Sequence, residues 1–162
     1  MPLLTFVLNN IRSAWNVGAI LRTADALGAQ IVLVGYTPQP AGATLKLIKK
    51  TSIGAENTVI WQHFDTAQDV IEVVKNESSL LVAIEISPHS QNIFEYLHTT
   101  DISKYDRIYL WLGNELSGIE RDTVNQLDTE LHLPMHGTKE SLNVASTACT
   151  VGYLFLEHLT TR

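Results

Sequence analysis

Cysteine is nearly absent. Cys149 is the only one in 162 residues, so no internal disulfide can form, and a reducing compartment, the cytoplasm, is the simplest expectation. Long apolar runs are missing too: the strongest, such as Leu80–Ile84, fall far short of the roughly 20 residues a membrane-spanning helix needs. Residues 1–8 carry neither a basic leader nor a small-residue cleavage site, so no signal peptide is expected. Low-complexity tracts and long polar linkers are lacking, which argues against disorder or several domains. Positive charge is also short: 11 Lys and Arg face 17 Asp and Glu, a net charge of −6, unlike a generally basic nucleic-acid binder.

Two further absences narrow the chemistry. His132 and His136 are four apart, but Pro134 breaks any helix that would align them, and His63, His89, His98 and His158 form no ligand set. No metal site is expected. Gly113 and Gly118 follow an apolar strand, but neither Gly-Lys-Ser/Thr nor Gly-x-Gly-x-x-Gly is present there. A phosphate-binding loop and an ordinary dinucleotide-binding turn are therefore disfavoured.

What is there is a globular composition, 45% hydrophobic, on the scale of one domain spanning residues 1–162. Strands are expected at Leu3–Leu8, Ile31–Val34, Val59–Trp61, Leu80–Ile86, Arg107–Leu112 and Glu130–Leu133. Helices are expected at Asn16–Leu27, Leu45–Lys50, Ala67–Lys75, Ile119–Leu127 and Asn143–Leu159, with Gly28 stopping the first. Alternating strands and helices, with several strands continuously apolar, predict an α/β fold: a mostly parallel sheet with helices on both faces. Charge is uneven along it. Residues 1–50 hold Arg12, Arg22, Lys46, Lys49 and Lys50 against Asp25 alone, a net +4 that leaves −10 on the remainder. A locally positive face is compatible with phosphates, because exposed charges are screened beyond about 8 Å at physiological salt.

Three polar segments follow strands, where ligands of such sheets bind. In Asn16–Arg22, Asn16 is a natural N-cap and Arg22 lies near two turns on, its planar fork suited to phosphate. In Gly113–Gly118, two glycines permit a tight turn and close approach to a ligand, and Glu115 between them suits a cationic or hydroxyl-bearing one. In Leu133–Asn143, a strand ends at Pro134, and Ser141 or Asn143 caps the next helix. That helix is rich in small residues, and Gly152 fits close approach of another backbone, within one chain or across a dimer.

In order and spacing the segments resemble the three motifs of the SpoU/TrmH-type branch of the SPOUT methyltransferases. Asn16–Ala24 is similar to the first, Leu112–Gly118 to the second, and Leu133–Met135 with Ser141–Val144 to the third. The resemblance implies a C-terminal trefoil knot, a homodimer, S-adenosylmethionine as cofactor, and 2′-O-methylation of ribose in tRNA or rRNA. It implies cofactor contacts at Ile84, Gly113, Gly118, Leu133, Met135, Ser141 and Leu142. Arg22 takes the place of the catalytic arginine, and Asn16, Glu115, Ser141 and Asn143 complete the polar site. Many relatives add an RNA-binding domain. None is expected here, which turns attention to Arg12, Lys46, Lys49 and Lys50 for RNA contacts. The alternative is a non-catalytic RNA- or cofactor-binding module on the same fold.

Overall fold

Apolar runs read as buried strands form the centre of the molecule. The computed structural model describes residues 1–75 and 78–161, and among these, seven strands build one sheet. They are β1 (Leu3–Asn9), β2 (Gln30–Val34), β3 (Trp61–Phe64), β4 (Ser79–Ile84), β5 (Gln91–Asn92), β6 (Arg107–Leu112) and β7 (Thr129–His132). Their order is β3-β2-β1-β6-β4-β7-β5, and every pairing is parallel. The helices are α1 (Ala14–Leu27), α2 (Leu45–Ser52), α3 (Ala67–Val74), α4 (Ile93–Thr99), α5 (Arg121–Val124) and α6 (Val144–Thr160).

Alternation along the central strands separates two cores. Phe6, Leu8, Leu110 and Val82 face α1, α2, α4 and α6, which contribute Ile20, Ile48, Leu97 and Phe155 among others. Val7, Trp111, Leu81 and Ala83 face the opposite way, toward Val70, Ile71 and Val74 of α3 and Val124 of α5. The sheet is thus covered on both faces, which is why its strands are apolar without interruption. No helix among the described residues is long and apolar enough to cross a membrane.

Several boundaries differ from expectation, each for a local reason. Ser13, not Asn16, caps α1: its backbone is extended (φ −89°, ψ 115°), and its Oγ accepts the Asn16 N–H at 3.3 Å. Asn16 is therefore inside the first turn, with its side chain free for another partner. The third strand begins at Trp61 rather than Val59, because the Val59 N–H donates to the Ala55 carbonyl (3.0 Å) in the tight turn over Ala55–Asn57. The helix expected over Ile119–Leu127 shrinks to α5. At one end Glu85 accepts the Ile119 N–H (2.9 Å). At the other, Asp128 accepts the Leu81 N–H with its carboxylate (2.8 Å) and draws the chain out toward β4.

Helix α4 and the two-residue β5 were not anticipated, although Asn92 caps α4 by accepting the Phe94 N–H (3.0 Å), and Ile93 and Leu97 are both buried. Gly152 serves packing within the chain: a Cβ there would stand 2.5 Å from Leu27 Cδ1 and 2.8 Å from Phe6 Cζ.

Candidate active site

The polar segments meet at the C-terminal edge of the sheet, above β1, β6, β4 and β7. The loop after β6 is closed on itself by paired backbone bonds between Asn114 and Gly118 (3.1 and 2.9 Å). Asn114 stiffens it by accepting the N–H groups of Leu116 (2.9 Å) and Ser117 (3.1 Å). Both glycines are required by space. A Cβ on Gly113 would strike the Gly118 backbone, and Gly118 has φ +68° with the Glu85 carboxylate where its Cβ would be. Glu85 was not singled out in the sequence. Its carboxylate holds the Ile119 and Ile86 N–H groups (2.9 and 3.1 Å), tying the end of β4 to the loop.

Glu115 turns its carboxylate onto the start of α1. Its Oε2 accepts the Arg12 N–H (2.8 Å), and its Oε1 accepts the Ser13 N–H (3.1 Å) and the Asn16 Nδ2 (2.9 Å). A carboxylate at the entrance of a helix complements its unpaired N–H groups and dipole. Burial pushes this carboxyl up, but the hydrogen bonds outweigh it and hold Glu115 below its usual range. Asn143 caps α6 by accepting the Ala145 and Ser146 N–H groups (2.9 and 3.3 Å), while its Nδ2 donates to Asn16 Oδ1 (3.2 Å). Asn143, Asn16 and Glu115 thus form one chain joining the starts of two helices to the glycine loop.

Beside that chain opens a cavity of about 1020 Å³, roomy enough for a small molecule. Ile84, Gly113, Gly118, Leu133, Met135, Ser141 and Leu142, all expected to meet a cofactor, line it. Glu115 and Asn143 stand on its wall as well. Arg22 does not. It lies in a second hollow, about 480 Å³, between α1, α2 and α6, with Lys50, Thr51, Ile53, Cys149 and Tyr153. Of the cations considered for RNA, Lys46, Lys49 and Lys50 are exposed along α2, and the Lys50 ammonium sits 5.5 Å from the centre of the Trp15 ring. Arg12 is exposed beside the glycine loop.

A parallel sheet with this edge, this cavity and this glycine loop has counterparts. The profile of the SpoU rRNA Methylase family matches residues 3–153. The chain belongs to that family. Similar proteins include the tRNA (guanosine(18)-2′-O)-methyltransferase of Aquifex aeolicus, 30% identical over 137 residues that make up 85% of this chain and 61% of the relative. The 23S rRNA (guanosine-2′-O-)-methyltransferase RlmB of Neisseria meningitidis is 30% identical over 148 residues, 91% of this chain and 55% of its own. An AdoMet-bound rRNA methyltransferase of Sinorhizobium meliloti superposes with a TM-score of 0.84 at 25% identity, over 97% of this chain and 57% of that one. This SpoU-family chain spans about 55% to 61% of the length of those proteins.

Proposed function

We propose that this chain is an S-adenosylmethionine-dependent methyltransferase acting on the ribose 2′-hydroxyl of tRNA or rRNA. The observation that carries the proposal is the cavity at the strand ends, lined by the residues the SpoU resemblance assigns to the cofactor. The names of the relatives from Aquifex aeolicus and Neisseria meningitidis support the RNA substrate and the 2′-O position.

The residues present fit the cofactor. Gly113 and Gly118 keep Cβ atoms out of a space already closed by backbone and by Glu85. Ile84, Leu133, Met135 and Leu142 supply apolar walls, and Ser141 a hydroxyl. When bound, S-adenosylmethionine supplies a methyl group on a cationic sulfur. The chemistry it would supply at the ribose 2′-oxygen is that methyl, in exchange for the hydroxyl proton.

Arg22 is the catalytic arginine of this reading. A guanidinium remains protonated at neutral pH, so it acts by holding the neighbouring phosphate and stabilising charge on the ribose oxygen while the proton passes to phosphate or water. Holding two reactants in line in itself removes much of the barrier. Asn16, Glu115 and Asn143 keep α1, and with it Arg22, in fixed relation to the cofactor loop.

The working unit is read as a homodimer whose chains carry the C-terminal trefoil knot, in the reducing cytoplasm. What supports the dimer is the separation of Arg22 from the cavity, together with exposed Trp15, Ile53 and Tyr153 on the same side as Arg22. Arg12, Lys46, Lys49 and Lys50 are the RNA-facing cations.

Radiolabelled methyl transfer to bulk RNA tests the activity. Binding of the cofactor without any transfer would favour the non-catalytic module instead. Arg22→Ala is expected to bind S-adenosylmethionine normally by calorimetry and to lose methyl transfer; near-normal turnover would sink its role. Mass spectrometry of RNA nucleosides from cells with and without the gene identifies the nucleotide.

A further inference from the structure

We infer that the ring of Tyr36 is a stacking platform for an unpaired RNA base adjacent to the nucleotide being methylated. This rests on the RNA reading above and adds a substrate contact outside the three motifs.

Tyr36 follows β2, which pairs with β1 in the register Asn9↔Val34, so it emerges at the same sheet edge as the cavity. The backbone there is forced. Gly35 has φ +64°, and Asn10 has φ +57°, a left-handed conformation that asparagine tolerates when its short side chain bonds locally. Two consecutive strand ends turning this way fix the path of the chain on either side of Tyr36. Here the contacts are explicit. Asn10 Oδ1 accepts the Tyr36 N–H (3.3 Å), and a Cβ on Gly35 would strike that same Asn10 side chain. Asn114 Nδ2 donates both to the Tyr36 hydroxyl oxygen (2.9 Å) and to the Asn10 carbonyl (2.9 Å). The Ile11 N–H donates to Thr37 Oγ1 (3.0 Å), stitching the two segments once more.

Both ends of the tyrosine are tied, yet the residue is 63% exposed. Asn114 is itself buried and lines the cavity, so the ring stands one hydrogen bond from the cavity wall. Arg12, two residues beyond Asn10 in the chain, is an exposed cation whose backbone N–H is held by Glu115 of the same glycine loop as Asn114. Aromatic side chains recognise splayed, single-stranded RNA bases by stacking. A ring already immobilised loses little freedom when a base lands on it. A tyrosine that served only to brace Asn114 would act through its hydroxyl and have no use for an exposed face.

The test is methyl transfer to purified tRNA and to ribosomal RNA, with cofactor binding measured in parallel by calorimetry. Tyr36→Ala is expected to raise KM for RNA about tenfold, and Tyr36→Phe and Tyr36→Trp, which keep an aromatic face, to stay within about threefold of the parent. Cofactor affinity should be unchanged in all three. An unchanged KM in Tyr36→Ala overturns the inference while leaving the methyltransferase reading intact. So does an equal loss in Tyr36→Phe and Tyr36→Trp, which would assign the effect to the hydroxyl, or a matching loss of cofactor affinity. A parent protein that methylates neither RNA overturns the underlying reading and this inference with it.

Discussion

Glu115 receives three hydrogen bonds from the entrance of α1, and they outweigh the burial that disfavours its charge. The consequence is a pH dependence of known sign. A carboxyl held lower in the folded chain than in the unfolded one stabilises the fold above the unfolded value and loses that contribution as pH falls through the folded one. Chemical denaturation from pH 7 downward should therefore find Glu115→Gln less stable than the parent by a constant amount near neutrality. The gap should close as the pH drops below the ordinary carboxylate value of 4.5. A gap that persists undiminished in acid would show that the charge is not what matters. Residue types at this site were legible; partners were not. Glu115 reads as a ligand contact from its place between two glycines, whereas its acceptors face Arg12, Ser13 and Asn16, about a hundred positions away along the chain. Glu85 and Tyr36 carry no motif, and only the approach of Gly118 and of Asn114 marks them out.

Helix α6 begins at Asn143, whose side chain accepts two N–H groups of the first turn and donates to Asn16. Removing an N-cap of this kind typically costs about 1 kcal/mol, which in a chain of this size corresponds to a fall in Tm of roughly 2–4 °C. Asn143→Ala should show that fall in a thermal melt, and Asn143→Asp, which keeps the cap but not the donated bond, should recover most of it. Equal losses in the two would place the value in the Asn16 contact instead. The ends of elements follow the same logic as their caps. Gly28, at φ +64°, ends α1 as its position in the sequence implies. Ser13 displaces Asn16 as the cap because its hydroxyl accepts the Asn16 N–H, and the buried face of α1 already begins at Ala14. Helix α5 is short because Glu85 and Asp128 draw off the backbone on either side of it, and no local pattern announces bonds to β4.

At the scale of the molecule, net charge and its uneven spread become surfaces. The basic residues of the first 50 positions appear on α1, on α2 and beside the glycine loop, while the cavity wall carries Glu85, Glu115 and Glu140. Arg22 and the cavity occupy different hollows of one chain, and a second copy is the expected remedy. Sedimentation equilibrium at micromolar concentration should return twice the mass of one chain; a monomer across that range would overturn the dimer. The α/β class, the parallel sheet and the three polar segments at its edge were determined by sequence alone, because apolar periodicity and glycine placement are local signals that survive without knowledge of the fold. Seven residues that line the cavity, from Ile84 to Leu142, were named by resemblance, which reports what an ancestor's fold already arranged; Glu85 was not. Only the tertiary structure decided that Glu115 and Asn143 grip α1, that Arg22 stands apart from the cavity, and that Tyr36 is held with its ring exposed. Those facts depend on which loops the strand order β2-β1-β6-β4-β7 brings side by side, and contacts between distant segments leave no period in the chain.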